Sequence, residues 1–181
     1  TPKDAALNQA YRERYSACYR SYSLGVPFTQ RLFHLAMLGG YVGQITANSF
    51  MKREFGKRLI EKFLPTVDLT HVVDTNGAYI PEHGNTLILF GRNQPPVART
   101  VRAVMGIRGE PGTPDDPARG LVWSAILAQV DVCGSQSEFV SVAEVPRGSF
   151  HKHPWSIGGG GASELKTTLD QFCEMRLRDV V

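Results

Sequence analysis

A layered α/β domain followed by a mixed α+β extension is the fold class this sequence predicts, on three observations. Apolar runs of strand length at 41–46, 69–73 and 86–90 (YVGQIT, LTHVV, TLILF) alternate with segments whose apolar residues recur at helical spacing. Gly39-Gly40, Pro65 and Asp74 punctuate the joins, as residues that end helices or open turns should. After Arg92 the texture changes, and from Asn93-Gln94-Pro95-Pro96 onward glycine and proline break the chain into shorter pieces.

Taken in order, 4–22 reads as a helix with Tyr11, Tyr15, Tyr19 and Tyr22 on one face and Arg12, Arg14 and Arg20 interleaved. Leu24, Phe28, Leu32, Leu35 and Ala36 form a second helical stripe, stopped by Gly39-Gly40. The strand 41–46 then runs without a break into a basic, apolar-striped segment at 51–64 (MKREFGKRLIEKFL), expected to be one amphipathic helix ending at Pro65. Strands at 69–73 and 86–90 follow, joined by a loop. Beyond them the expectation is a strand at 97–107, a surface loop at 109–117, a helix at 120–131 and a strand at 138–142. A glycine-run joint at 158–161 and a helical tail at 163–178 complete the chain. These divide it into 1–92, a mixed α+β extension at 93–157, and a linker with the start of another element at 158–181.

Composition narrows the function classes. A chain of 181 residues, 42% hydrophobic and 20% charged, has the makings of one globular domain, or one plus a fragment. Cys18, Cys133 and Cys173 are odd in number and far apart, with no CxxC or Cys/His pair at metal spacing, so neither a disulfide framework nor a zinc site is expected. A reducing, cytoplasmic setting fits that usage. No apolar run approaches the roughly 20 residues that span a bilayer. The formal charge of +3 is too mild to argue for a nucleic-acid partner by itself.

Open α/β sheets bind ligands beyond the carboxyl ends of their strands, which directs attention to the junction at 46–50. Thr46, Asn48 and Ser49 stand there, either lining a pocket or, for Asn48 and Ser49, capping the following helix; the cap is the preferred reading. Lys52, Arg53, Lys57, Arg58 and Lys62 give that helix a basic face, ordinary for a solvated surface and also suited to DNA phosphates. His151 and His153 beside Trp155 lack a third ligand, so they read as structural and no metal is expected.

The ordered series KDAALNQAYRERY, SYSLGVPFTQRLFHLAMLGGYVGQITANSFMKREFGKRLIEKFLP and LTHVVDTNGAYIPEHGNTLILFGRN resembles the second half of the catalytic domain of adenine-N6 DNA methyltransferases. Within them it is most similar to the large adenine-specific enzymes of phage growth limitation and BREX-type phage-defence systems. HKHPWSIGGGG with its following helix looks like the run into the target-recognition region of such enzymes. The resemblance implies a Rossmann-like sheet whose last strand is antiparallel and inserted between the two before it. It also implies S-adenosylmethionine as methyl donor, DNA as substrate, and other phage-defence proteins as partners.

Phe28 matches the family's aromatic that packs on the adenine of S-adenosylmethionine, although its stripe with Leu24 and Leu32 also suits an ordinary core phenylalanine. Tyr79 matches the aromatic that stacks on the flipped-out target adenine; the plainer alternative is a loop tyrosine lying over the neighbouring strands. Glu82 and His83 read as a solvated loop pair. The family's Gly-rich cofactor turn and its Asn-Pro-Pro-aromatic tetrapeptide do not occur. The one Pro-Pro, Pro95-Pro96, lies between Gln94 and Val97 and downstream of the last matched strand. The tetrapeptide is expected ahead of Thr1, so the chain is expected to be a piece of a larger enzyme, with no catalytic residue of its own and inactive alone. Two other readings stand beside this one: a non-catalytic nucleic-acid-binding or assembly module on the same scaffold, and a different α/β ligand-binding protein, which a sheet without the antiparallel last strand would favour.

Overall fold

The computed structural model describes residues 3–81 and 84–161, and beyond them 165, 168, 169 and 172. Five strands make one sheet: β1 (Tyr41–Ala47), β2 (Asp68–Asp74), β3 (Thr86–Arg92), β4 (Thr100–Gly106) and β5 (Val140–Pro146), in the order β1-β3-β2-β4-β5. β3 runs antiparallel to both of its neighbours, with Tyr41 opposite Arg92 and Ala47 opposite Thr86 on one side and Asp74 opposite Leu87 on the other. β1 and β2 therefore point the same way with a reversed strand between them, as the resemblance implies. β4 continues the sheet parallel to β2, and β5 closes it antiparallel to β4. The change of texture at 93 thus does not interrupt the sheet.

Alternation along the strands gives the sheet two apolar faces. Val42, Leu87, Leu89, Leu69, Val72, Val101, Ala103 and Met105 face one side. There they pack with Val26 and Phe33 of helix α2 (Gly25–Leu35), with Phe50, Phe55, Leu59, Ile60 and Phe63, and with Trp155. Val73, Val104, Val140 and Val142 face the other side, under Val122 and Ile126 of helix α3 (Leu121–Gln129). At the β1 end this face is left partly open, and Tyr41 and Ile45, with Phe90 of β3, stay exposed. No helix among the described residues is long and apolar enough to cross a membrane.

Two expected helices are cut short by tertiary contacts. Helix α1 (Ala5–Arg14) starts where expected, its first turn capped by Asp4, whose carboxylate accepts the Leu7 N–H at 2.7 Å, but it ends eight residues early. The chain turns back at Tyr15 because other partners take its polar groups. Ala17 N–H donates to Gln30 Oε1, Gln30 Nε2 donates to the Ser16 hydroxyl, and the Tyr22 hydroxyl reaches Asn8. The run 51–64 is not one helix either. It is a string of 3₁₀ turns at Asn48–Met51, Glu54–Gly56 and Leu64–Thr66 around a wide π turn at Leu59–Phe63. Gly56 shows why: a Cβ there would sit 1.8 Å from the carbonyl oxygen of Phe50, so the backbone folds onto itself more tightly than a helix allows. The segment still buries Phe50, Met51, Phe55, Leu59, Ile60, Phe63 and Leu64, so its apolar stripe is satisfied without helical geometry.

The far end of the chain is laced to that segment. Trp155 donates its backbone N–H to Met51 O and its indole N–H to Phe150 O, and stacks edge-on against Phe50 and Phe150. His153 donates its backbone N–H to Glu61 and its ring nitrogen bonds with Arg53 O. At the amino ends of β2 and β4 lies a buried ion pair. Arg147 Nη2 is 2.9 Å from Asp68 Oδ1, with side chains 8% and 6% exposed. Arg147 also donates to Ala98 O and Thr100 O, and Asp68 also accepts from Gln94 Nε2 and Val97 N–H. The helical tail expected at 163–178 falls almost wholly outside the described residues.

Arg147→Ala leaves Asp68 charged and unpaired in the interior and should lower unfolding free energy by about 3–5 kcal/mol, read as a shift in denaturant midpoint. Gly56→Ala should cost about 1–3 kcal/mol by forcing the 50–56 fold-back apart, whereas the same change at exposed Gly112 should leave the midpoint nearly unmoved.

Candidate functional site

The carboxyl ends of β1 and β2 and the start of β3 come together at one edge of the sheet, beside the loop residues 75–81. That loop is pinned at several points. Asp74 accepts the backbone N–H of Asn76 at 2.9 Å and that of Gly106 at the end of β4. The hydroxyls of Thr75 and Thr86 are 2.6 Å apart, and Ala78 N–H closes a turn onto Thr75 O. Gly77 adopts φ +102° with its Cα against Gly109, and Glu110 N–H donates to Gly77 O at 2.9 Å. Tyr79 leaves this fixed turn with its side chain 38% exposed.

Two clefts flank the loop. One, of about 530 Å³, is lined by Ile45, Thr46, Ala47, Asn48, Ser49, Ile80 and Asn85; the other, of about 260 Å³, by Ile45, Tyr79, Ile80, Pro117, Ala118 and Trp123. A third cleft, of about 440 Å³, lies between α1 and α2 among Tyr11, Tyr15, Leu24, Gly25, Phe28 and Arg31. Gly25 is so close to Thr46 that a Cβ there would stand 2.9 Å from the threonine hydroxyl, which joins a wall of the third cleft to a wall of the first.

Phe28 is not a core residue. It is 56% exposed, and Leu24 and Leu35 of the same stripe are also exposed. The buried face of α2 is Val26, Pro27, Thr29, Gln30 and Phe33. The polar pair is admitted because Thr29 donates to Gly25 O and Gln30 is bonded at both ends of its amide, and this turns the apolar stripe outward into the cleft. The preferred capping role of Asn48 and Ser49 is not found: no side chain caps the 48–51 turn, Asn48 N–H goes to Asn85 O, and both residues line the first cleft. Lys52, Arg53 and Lys57 are exposed, but on successive turns rather than on one helical face, and the charge of Lys52 reaches Asp74. Glu82 and His83 lie outside the described residues. Among the described residues no group of three or more His, Cys, Asp or Glu side chains is placed to hold a metal ion.

Trp123 and Asp74 enter the site although neither was a site candidate in the sequence, where Asp74 marked only the end of a strand. The available signal for Trp123 was a helix apolar on every side, which leaves some apolar side chains outside the core. Burial pushes the Asp74 carboxyl above the ordinary carboxylate range, against the opposing pull of the Asn76 and Gly106 N–H groups and the Lys52 ammonium. The folded state therefore holds the proton more tightly than the unfolded chain does, and the associated stability is present below the ordinary carboxylate value and lost as pH rises through the raised one. Asp74→Asn keeps an acceptor for the loop. Its melting temperature should gain on that of the wild type as pH is raised from about 4 and level off once Asp74 is ionised in both states.

No protein-family profile matches the chain. Across 181 aligned positions, covering 92% of its length, it is 50% identical to the adenine-specific methyltransferase PglX of Streptomyces coelicolor, and it spans 15% of the length of that protein.

Proposed function

We propose that this chain is part of an adenine-specific DNA methyltransferase, the part that presents the target base and one wall of the cofactor pocket. The observation that carries the reading is the reversed β3 between β1 and β2, with an aromatic-bearing loop pinned at its mouth, in a chain half identical to part of such an enzyme. A different α/β ligand-binding protein without the reversed strand is correspondingly disfavoured. The whole enzyme would transfer a methyl group to N6 of adenine in DNA as part of phage defence.

The third cleft suits the adenine end of S-adenosylmethionine. Phe28 offers an exposed ring, Leu24 and Pro27 add apolar wall, and Tyr11 and Tyr15 stand opposite with their ring centroids 6.0 Å apart. S-adenosylmethionine supplies an electrophilic methyl group on a sulfonium. The contribution of this chain is to hold and orient. Phe28 packs on the cofactor's purine. Tyr79 gives an extruded adenine a replacement for the stacking it loses on leaving the duplex, and Thr46, Asn48 and Ser49 wall the space beside it. Lys52, Arg53 and Lys57 are free to meet phosphates at the rim without reading sequence. Asp74 acts as an anchor, its carboxylate taken up by backbone N–H groups. The Gly-rich turn and the Asn-Pro-Pro-aromatic tetrapeptide of these enzymes are absent from the 181 residues, so the groups that engage the reacting amino nitrogen and the rest of the cofactor belong to other parts of the enzyme.

The chain by itself should transfer no methyl group from labelled S-adenosylmethionine to DNA; methyladenine above a protein-free control would contradict the reading. In the complete enzyme, Tyr79→Ala should lower kcat/KM for duplex methylation by an amount equivalent to about 1–3 kcal/mol, and Tyr79→Phe should be nearly silent, with melting temperatures of all three alike. A Tyr79→Ala enzyme that melts early yet methylates normally when folded would make Tyr79 a structural residue.

A further inference from the structure

Three arginines from three separate stretches of the chain gather on two tyrosine rings. Arg12, in the last turn of α1, lies over Tyr22 with its guanidinium carbon 5.3 Å from the ring centre. Arg20 and Arg58 both lie over Tyr19, at 5.5 and 4.9 Å. Contacts of this kind occur about once per 70–80 residues. Here three of the four among the described residues fall on these two rings, which marks the spot as more than ordinary surface packing. All three arginines are exposed, and among the described residues none of them makes an ion pair.

The cations are held in place without being neutralised. Tyr22 is buried and its hydroxyl bonds to Asn8, so the face under Arg12 belongs to the core. Arg12 Nη2 also donates to Arg20 O, which ties the first guanidinium to the stretch that carries the second. Arg20 itself stands at φ 49°, a left-handed backbone that glycine takes up freely and arginine only at a cost. Glu54 offsets part of the charge at Arg20, while Glu13, beside Arg12, accepts from Gln9 instead. A tyrosine ring orients a guanidinium plane without using up its charge or its N–H donors, as a carboxylate would. The helix dipole accounts for a cation at Arg12, but neither Arg20 nor Arg58 ends an α-helix. Like charges held at one ring repel, so their placement asks for an anion from outside.

We infer that Arg12, Arg20 and Arg58 contact the phosphodiester backbone of DNA, with Tyr19 and Tyr22 as the residues that position them. This rests on the reading of the chain as part of a DNA methyltransferase, and it adds a contact distinct from Lys52, Arg53 and Lys57. Phosphate is the matching ligand because a planar guanidinium presents paired N–H donors to two of its oxygens. A polymer of phosphates is favoured over a single one by the spread of the cations. The stretch that ends at Arg58 also carries Lys52, Arg53 and Lys57, all exposed, and the charge of Lys52 reaches Asp74 beside the clefts. The basic run thus leads, in chain order, from the start of the Tyr79 loop to the tyrosines after α1, a path for one strand of backbone. Such contacts fix orientation on a duplex and carry no sequence information.

The test is fluorescence anisotropy of a short labelled duplex titrated with the 181-residue chain at a series of salt concentrations. The slope of log affinity against log salt reports the phosphates neutralised. Arg58→Ala and Arg20→Gly should each weaken binding and make that slope shallower by about 1, equally on duplexes of unrelated sequence. Arg20→Gly separates contact from fold. Glycine accepts φ 49° without strain, so this variant should melt no lower than the wild type. Tyr19→Leu should weaken binding, whereas Tyr19→Phe should keep most of it. Arg99→Ala, exposed beside the amino end of β4, should leave the slope unchanged. Wild-type affinity and slope in both Arg20→Gly and Arg58→Ala overturn the inference and leave the methyltransferase reading standing. Release of the duplex by inorganic phosphate at constant ionic strength overturns it in favour of a small phosphate ligand. Absence of duplex binding at low salt overturns it too, while methylation of DNA by the complete enzyme tests the reading beneath it independently.

Discussion

The buried pairing of Arg147 with Asp68 is the constraint on which the rest of the arrangement depends. It stands at the amino ends of β2 and β4, where the parallel strands begin, and gathers the 93–99 connection and the end of β5 onto one guanidinium and one carboxylate. A charge pair taken out of water is tolerated only where nearly every donor and acceptor is used, and here carbonyls, an amide and a backbone N–H complete the set. By closing one end of the sheet it also directs the chain after β5 back across the molecule, where Phe150 and Trp155 fill the space over Phe50.

With the amino ends locked, the variable chemistry is left to the carboxyl ends. The reversed β3 brings Thr86 to the same edge as Ala47 and Asp74, so one short loop spans from β2 to β3 across the mouth of the sheet. Its anchors are backbone N–H groups, a threonine pair and glycine contacts, which fix a loop without using the aromatic side chain it carries. Tyr79 and Phe28 stay partly exposed for related reasons. In each case the polar groups around the aromatic are committed elsewhere, and the ring is left at a cleft.

Alternation and punctuation made the first three strands legible, because apolar runs bounded by glycine, proline and aspartate have few other ways to be buried. The order of the strands, by contrast, came through the resemblance rather than through any periodicity. The continuation of the sheet into β4 was hidden by the Pro95-Pro96 turn, which reads locally as a linker and proves to be a link tied down by Asp68. Tyr79 was singled out through the resemblance, which matches its distance from β3. Trp123 was not, since Tyr79, which shares its cleft, is far away in sequence.

The sequence by itself determined which segments are apolar and where the first three strands lie, since these follow from side-chain identity at short range, whereas β4 (Thr100–Gly106) is shorter than the strand expected at 97–107 and β5 (Val140–Pro146) lies further along than the one expected at 138–142. Tertiary structure decided the helix lengths and the facing of α2. Gln30, Ser16 and Ala17 bond one another across a turn, and Gly56 packs on the Phe50 carbonyl; such bonds outweigh the small differences in intrinsic helix propensity. Patterns of period 3.6 report which residues are apolar, whereas the inward face is chosen by whichever polar groups find partners there, and that choice exists only once distant segments meet.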